Sequence, residues 1–89
     1  MAPDITFDII RAKLALKRGD YAEGIRLLSI ELEKEQDKPK PSWVQLSHLN
    51  NELGVALDAA GQYDKALEYL QKSLAIRLNK LGPDHPDVA

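Results

Sequence analysis

The sequence repeats itself at an offset of 42 residues. Turn, apolar, small and proline positions all share this register, which aligns Gly19 with Gly61, Tyr21 with Tyr63, Ala12 with Gly54, Gly24 with Ala66, Leu28 with Leu70, Leu32 with Leu74 and Pro41 with Pro83. Chance can supply one or two such matches, but a register kept by four kinds of position indicates a true internal repeat.

Each repeat is predicted to form two helices joined by a tight turn. In the second repeat, apolar residues recur every three or four positions from residue 46 to 60 and again from 63 to 81. Gly61 separates these segments, because glycine accepts the left-handed backbone found just past a helix C-terminus. The same pattern surrounds Gly19, and residues 35–41 form the predicted loop between the repeats. No segment alternates like a strand, so the predicted fold is all-α.

The predicted organisation is a single domain. The first repeat spans about residues 4–41, the second about 42–83, and residues 84–89 begin a further repeat. An ordinary four-helix bundle without repeat geometry is the alternative. Seven residues are expected to have structural roles in turns and packing: Gly19, Tyr21, Trp43, Gly54, Gly61, Tyr63 and Ala66.

Three of these roles are specific. Gly54 and Ala66 are expected to let the two helices of the second hairpin approach closely. Tyr63 is expected to bury its ring against the start of its own hairpin, with its hydroxyl in water. Trp43 is expected to pack between the two hairpins rather than to bind a partner.

Composition argues against several functions. The net charge is only −2, so no strong field attracts nucleic acid or an anionic membrane. Cysteine is absent, which removes disulfides and thiolate sites and suits a reducing compartment such as the cytoplasm. Neither a signal peptide nor an apolar run near 18 residues is present. We therefore expect a soluble, cytoplasmic chain.

No catalytic constellation stands out. His48 and His85 have no partners at metal-ligand spacing, and no glycine-rich phosphate loop or nucleophile elbow occurs. Five glutamates fall among lysines and arginines and are expected on exposed faces: Glu31, Glu33, Glu35, Glu52 and Glu68. We expect no enzyme activity, no cofactor and no metal.

The second repeat resembles the tetratricopeptide consensus at its signature spacing, through Leu53-Gly54, Leu57, Gly61, Tyr63, Ala66 and Leu70. Residues 53–89 are similar in particular to the 42-residue repeats of kinesin light chains and their bacterial relatives, through the runs Leu74-Ala75-Ile76-Arg77 and Leu81-Gly82-Pro83-Asp84-His85-Pro86-Asp87-Val88-Ala89. The first repeat departs from the pattern, with Arg11 in place of leucine and Gly24 in place of alanine. The resemblance implies a right-handed superhelix whose concave face is lined by the first helix of each repeat.

That concave face is where the family commonly binds partner peptides. The corresponding positions in this chain are Thr6, Ile9, Lys13, Leu16 and Lys17 in the first repeat and His48, Asn51, Val55, Asp58 and Ala59 in the second. The family often keeps an asparagine at the place of Asn51 to bond a peptide backbone, although a capping or inter-helix hydrogen bond explains it equally well. Lys13 and Lys17 would attract an acidic peptide or simply form a solvated face. These groove positions do not match the basic residues with which chaperone-binding members of the family grip a C-terminal carboxylate.

Two functions remain open. The first is a non-catalytic module that binds a peptide or protein partner within a larger adaptor or scaffold. The second is a self-associating repeat unit, because a chain that stops after two repeats would expose the apolar flank of its last hairpin. Another copy would cover that flank, or domain exchange through the loop at Pro39 and Pro41 would do so.

Overall fold

Residues 5–82 fold into four helices that form two consecutive hairpins. The computed structural model describes residues 5–82, with side chains from residue 9 onward. The helices are α1 (Ile5–Lys17), α2 (Tyr21–Gln36), α3 (Trp43–Ala59) and α4 (Tyr63–Leu81). α1 packs on α2, α3 packs on α4, and α3 also packs on α2. Over residues 5–82 there is no strand, which confirms the all-α prediction, while the repeat expected from residue 84 lies outside the described residues.

The same turn closes both hairpins. Gly19 and Gly61 have φ of +84° and +82°, a conformation that glycine adopts without steric cost. The next residue in each turn donates its backbone N–H to the carbonyl five positions back, Asp20 to Ala15 at 2.8 Å and Gln62 to Leu57 at 2.8 Å. These bonds satisfy carbonyls that a helix end leaves free. The repeat seen in the sequence is therefore also a repeat of backbone geometry.

Small residues set the distance between the helices of each hairpin. A Cβ atom added to Gly54 would lie 2.5 Å from Leu70 Cγ and 3.1 Å from the Ala66 carbonyl oxygen. In the first hairpin, a Cβ on Gly24 would lie 3.3 Å from the Ala12 carbonyl oxygen. Each crossing thus holds one glycine and one alanine, in opposite order in the two hairpins. This is the close approach that the sequence predicts for Gly54 and Ala66.

One apolar core joins the two hairpins. Its buried side chains come from α1, α2 and α3, and they are Ala12, Leu27, Leu28, Leu32, Leu49, Leu53 and Ala56. Tyr69 of α4 packs against this core from the edge. Because α2 and α3 belong to different repeats, the stacking of one hairpin on the other is what buries this surface.

Two glutamates of α2 are buried, so the prediction that they lie on an exposed face is wrong. Glu31 and Glu35 are each 1% exposed, and α2 continues through Gln36 rather than ending before residue 35. Lys34 Nζ lies 3.2 Å from Glu31 Oε1, and Lys38 Nζ lies 2.9 Å from Glu35 Oε1. The sequence could not reveal this burial, because lysines three positions after glutamates look the same on a solvated helix.

Glu35 ties the end of α2 to the start of α3. Its Oε2 accepts a hydrogen bond of 2.8 Å from the backbone N–H of Ser42, and the Ser42 hydroxyl accepts from the Gln45 N–H at 3.3 Å to cap α3. The Ser42 bond, followed by the Lys38 bond, holds the pKa of Glu35 below its ordinary value, although burial acts in the opposite direction. The carboxylate therefore fixes the connection between the two hairpins.

We expect Glu35→Gln to lower the free energy of unfolding by about 1–3 kcal/mol, because two charge-assisted hydrogen bonds are weakened. The folded-state pKa is depressed, so this stabilisation is complete above the unfolded-state pKa and is lost as the pH falls through the folded-state pKa. Urea unfolding from about pH 7 to about pH 3 should show wild type and variant converging in acid. The control is Glu33→Gln, at an exposed position of the same helix. A difference in the free energy of unfolding between wild type and Glu35→Gln that stays constant with pH would contradict this account.

Candidate partner-binding site

One face of α3 is left open by the packing of the hairpins. His48 and Asn51 are half-buried on this face, Asp58 is exposed, and Val55 is 53% exposed. Their spacing of three and four residues places them on one side of the helix, opposite the buried Leu49. The predicted positions of the second repeat therefore lie together on a surface that no described element covers.

The side chain of Asn51 has no hydrogen bond to any described residue. The asparagine that serves the fold is its neighbour Asn50, which is 4% exposed and whose Nδ2 donates to the Leu46 carbonyl at 2.7 Å. Within residues 5–82 there is thus no capping or inter-helix bond that explains Asn51. Its amide, with donors and an acceptor, is available to a ligand.

α1 contributes a basic, partly apolar surface. Lys13 and Lys17 are exposed and form no ion pair within the described part of the chain. At the repeat offset they correspond to Val55 and Ala59 of α3, so they occupy the same place in the first repeat. We name the six residues Lys13, Lys17, His48, Asn51, Val55 and Asp58 the groove face.

The family resemblance placed Ile9 and Leu16 on the concave face of the first repeat, and this prediction is wrong. Ile9 and Leu16 pack against the core and do not line an open surface, because they continue the buried stripe that contains Ala12. Two other apolar residues of α1, Ile10 and Leu14, are 50% and 51% exposed, and their exposure was not predicted from the sequence. Their spacing of four residues was the available signal.

A cavity of about 640 Å³ opens where the start of α3 meets the end of α4. Its lining residues are Trp43, Val44, Gln45, Ser47, His48, Arg77 and Leu81. Trp43 is half-buried here, against its own hairpin, and is not part of the core that the hairpins share. The prediction that it packs between the hairpins is therefore wrong. His48 belongs to both the cavity and the groove face.

α4 exposes a row of leucines on one side. Leu67, Leu74 and Leu78 are 56%, 45% and 39% exposed, and we name these three residues the leucine flank. Leu32, which corresponds to Leu74 in the first repeat, is only 7% exposed, because α3 packs over α2. Tyr63 is 67% exposed, so its predicted burial is wrong: no described helix covers the first turn of α4.

The described residues offer no arrangement for metal chemistry. Over this part of the chain, no three histidine, aspartate or glutamate side chains come together in a way that could hold a metal ion. None of the helices within residues 5–82 has the length and apolar character needed to cross a membrane.

Comparison with known proteins identifies a repeat family for most of the second hairpin. Residues 50–87 match the family model of the tetratricopeptide repeat. No curated protein and no solved structure matches the chain. The matched segment contains Gly54, Gly61 and Ala66, which form the close crossing and the turn described above. Residues 50–87 are therefore a tetratricopeptide repeat.

Proposed function

We propose that the chain is a non-catalytic interaction module that holds a peptide or protein partner on the groove face, within a larger adaptor or scaffold. The observation that supports this proposal is a set of groups that the fold leaves unused. The side chain of Asn51 has no hydrogen bond within the described residues, Lys13 has no ion pair there, and Val55 is exposed. Tetratricopeptide repeats suggest protein interaction in general.

The chemistry of the groove face suits an extended peptide. The Asn51 amide can donate to and accept from a peptide backbone, and Val55 offers an apolar contact. Lys13 and Lys17 favour acidic side chains on the partner. We infer a protein partner and neither nucleic acid nor membrane, because the net charge is only −2. The lack of cysteine favours the cytoplasm as its place of action.

The test begins with peptides selected against the whole chain from a random library, followed by titration calorimetry with variants. Asn51→Ala should weaken the selected peptide about tenfold, since a buried backbone hydrogen bond is lost. Lys13→Glu should weaken an acidic peptide by a similar factor. The matched controls are Asn79→Ala and Lys65→Glu, at exposed positions of α4. Equal losses in the control variants, or no loss in Asn51→Ala, would refute binding at the groove face.

Self-association is a second candidate function, and the leucine flank supports it. Leu67 and Leu74 stand at repeat positions where α2 has Ile25 and Leu32, which are covered by α3. A row of exposed leucines on a helix is a surface that association can bury. Another copy of the chain would supply such a cover.

Light scattering after size-exclusion chromatography tests this second candidate. Wild type should form a dimer or larger species whose fraction rises with concentration, and Leu74→Glu should remain monomeric with unchanged helicity by circular dichroism. Val55→Glu is the control, because it adds the same charge at an exposed apolar site on another helix. A wild-type monomer at every concentration would exclude self-association.

A further inference from the structure

The cavity between α3 and α4 combines apolar walls with one positive charge. Trp43, Val44 and Leu81 supply the apolar surface, and Arg77 lines the cavity from the last turns of α4. Its volume of about 640 Å³ lies within the range of about 300–1,000 Å³ typical of ligand sites. The cavity can therefore take one or two side chains of a partner.

Arg77 is half-buried and has no ion pair within the described residues. A guanidinium that is partly removed from water gains more from a carboxylate than one in full solvent. Its planar donors match the two oxygens of a carboxylate. Residues 9–82 supply no anion to this guanidinium.

In the first hairpin, the residue at the equivalent position has hydrogen-bond partners. Glu35 stands at the repeat position of Arg77, and its carboxylate is buried and bonded to the Ser42 N–H and to Lys38. At Arg77 the charge is reversed; Lys80 stands at the repeat position of Lys38, and Asp84, at the position of Ser42, lies outside the described residues. The two hairpins thus carry opposite charges at this repeat position.

We propose that this cavity binds an acidic side chain, an aspartate or glutamate within a partner peptide, with its carboxylate on Arg77. A neighbouring apolar side chain of the peptide packs on Trp43 and Val44. This inference rests on the proposed function and adds to it, because His48 lies in both the cavity and the groove face. A peptide can therefore run from one surface to the other.

Trp43 is the single tryptophan of the sequence, so its fluorescence reports occupancy of the cavity. The probe is an acetylated, amidated pentapeptide, glycine-glutamate-leucine-glutamate-glycine, and the matched probe replaces both glutamates with glutamine. We expect a saturable change in emission with the acidic peptide and an affinity at least about tenfold lower for the neutral one. Arg77→Gln should lower the affinity for the acidic peptide by a similar factor.

The control Lys80→Gln removes one charge at an exposed position of the same helix and should change the affinity no more than about twofold. Arg77→Lys, which keeps the charge, should retain part of the affinity if Arg77→Gln does not fold. Equal binding of the two peptides, an unchanged affinity in Arg77→Gln, or no emission change would overturn the proposal. Weakening by Lys13→Glu but not by Arg77→Gln would refute the cavity alone and leave the groove face standing.

Discussion

Leu32→Ala should lower the free energy of unfolding by about 2–4 kcal/mol, whereas Leu74→Ala should cost about 1 kcal/mol or less. The two leucines occupy the same repeat position, yet Leu32 is 7% exposed and Leu74 is 45% exposed. Leu32 is covered by α3 of the next hairpin, so its loss leaves a cavity in the core. Leu74 has no such cover among the described helices.

Urea unfolding followed by circular dichroism checks this pair at low protein concentration, where self-association through the leucine flank does not contribute. The comparison is well matched, because residue type, helix position and substitution are the same. Similar losses for the two variants would contradict the stacking of α3 on α2. A cost for Leu74→Ala that grows with protein concentration would instead support self-association.

Gly54→Leu should lower the free energy of unfolding by about 3 kcal/mol or more, which is a larger effect than that of Leu74→Ala. A Cβ at this position would already lie 2.5 Å from Leu70 Cγ and 3.1 Å from the Ala66 carbonyl oxygen. The carbonyl belongs to the backbone of α4 and cannot move without separating the helices. Val55→Leu is the control, because Val55 is the next residue and is 53% exposed.

The first hairpin provides a rescue for a milder change at the same site. Gly54→Ala alone should destabilise the chain, and the double variant Gly54→Ala/Ala66→Gly should recover much of the loss. The double variant reproduces the order of Ala12 and Gly24 in the first hairpin, and exchanging the two residues leaves helix propensity nearly unchanged. Thermal unfolding of wild type, the two single variants Gly54→Ala and Ala66→Gly, and the double variant measures the coupling free energy between the two positions. Additive effects would show that the crossing does not set the packing distance.

The helices, their turns and their pairing could be predicted because these features repeat. Gly19 and Gly61 mark the turns, and the small residues at the crossings are visible once the two repeats are aligned. The burial of Glu35 could not be predicted, since its environment depends on where α3 begins in space. The exposure of Tyr63 was also missed, because a ring near a helix start looks the same in the sequence whether or not a neighbour covers it.

The placement of the candidate site residues on the fold could be predicted only in part. Asn51 and Val55 lie on the open face of α3, where the family resemblance put them, but Ile9 and Leu16 are half-buried and pack against the core. The cavity at Arg77 was not foreseen, although alignment of the repeats sets Arg77 against Glu35 and so displays the reversed charge. Cavities form between helices, and the spacing of residues along one helix does not report them.

The measurement that tests the central claim most directly is a map of backbone amide chemical shifts on the whole chain, titrated with a peptide selected against it. The account predicts shifts at residues 13–17 of α1 and 44–58 of α3, together with a shift of the Asn51 side-chain amide. Asn51→Ala should require about tenfold more peptide to reach the same shifts, while the spectrum remains that of a folded chain. Shifts confined to the leucine flank of α4 would contradict binding at the groove face and would assign the interaction surface to Leu67, Leu74 and Leu78.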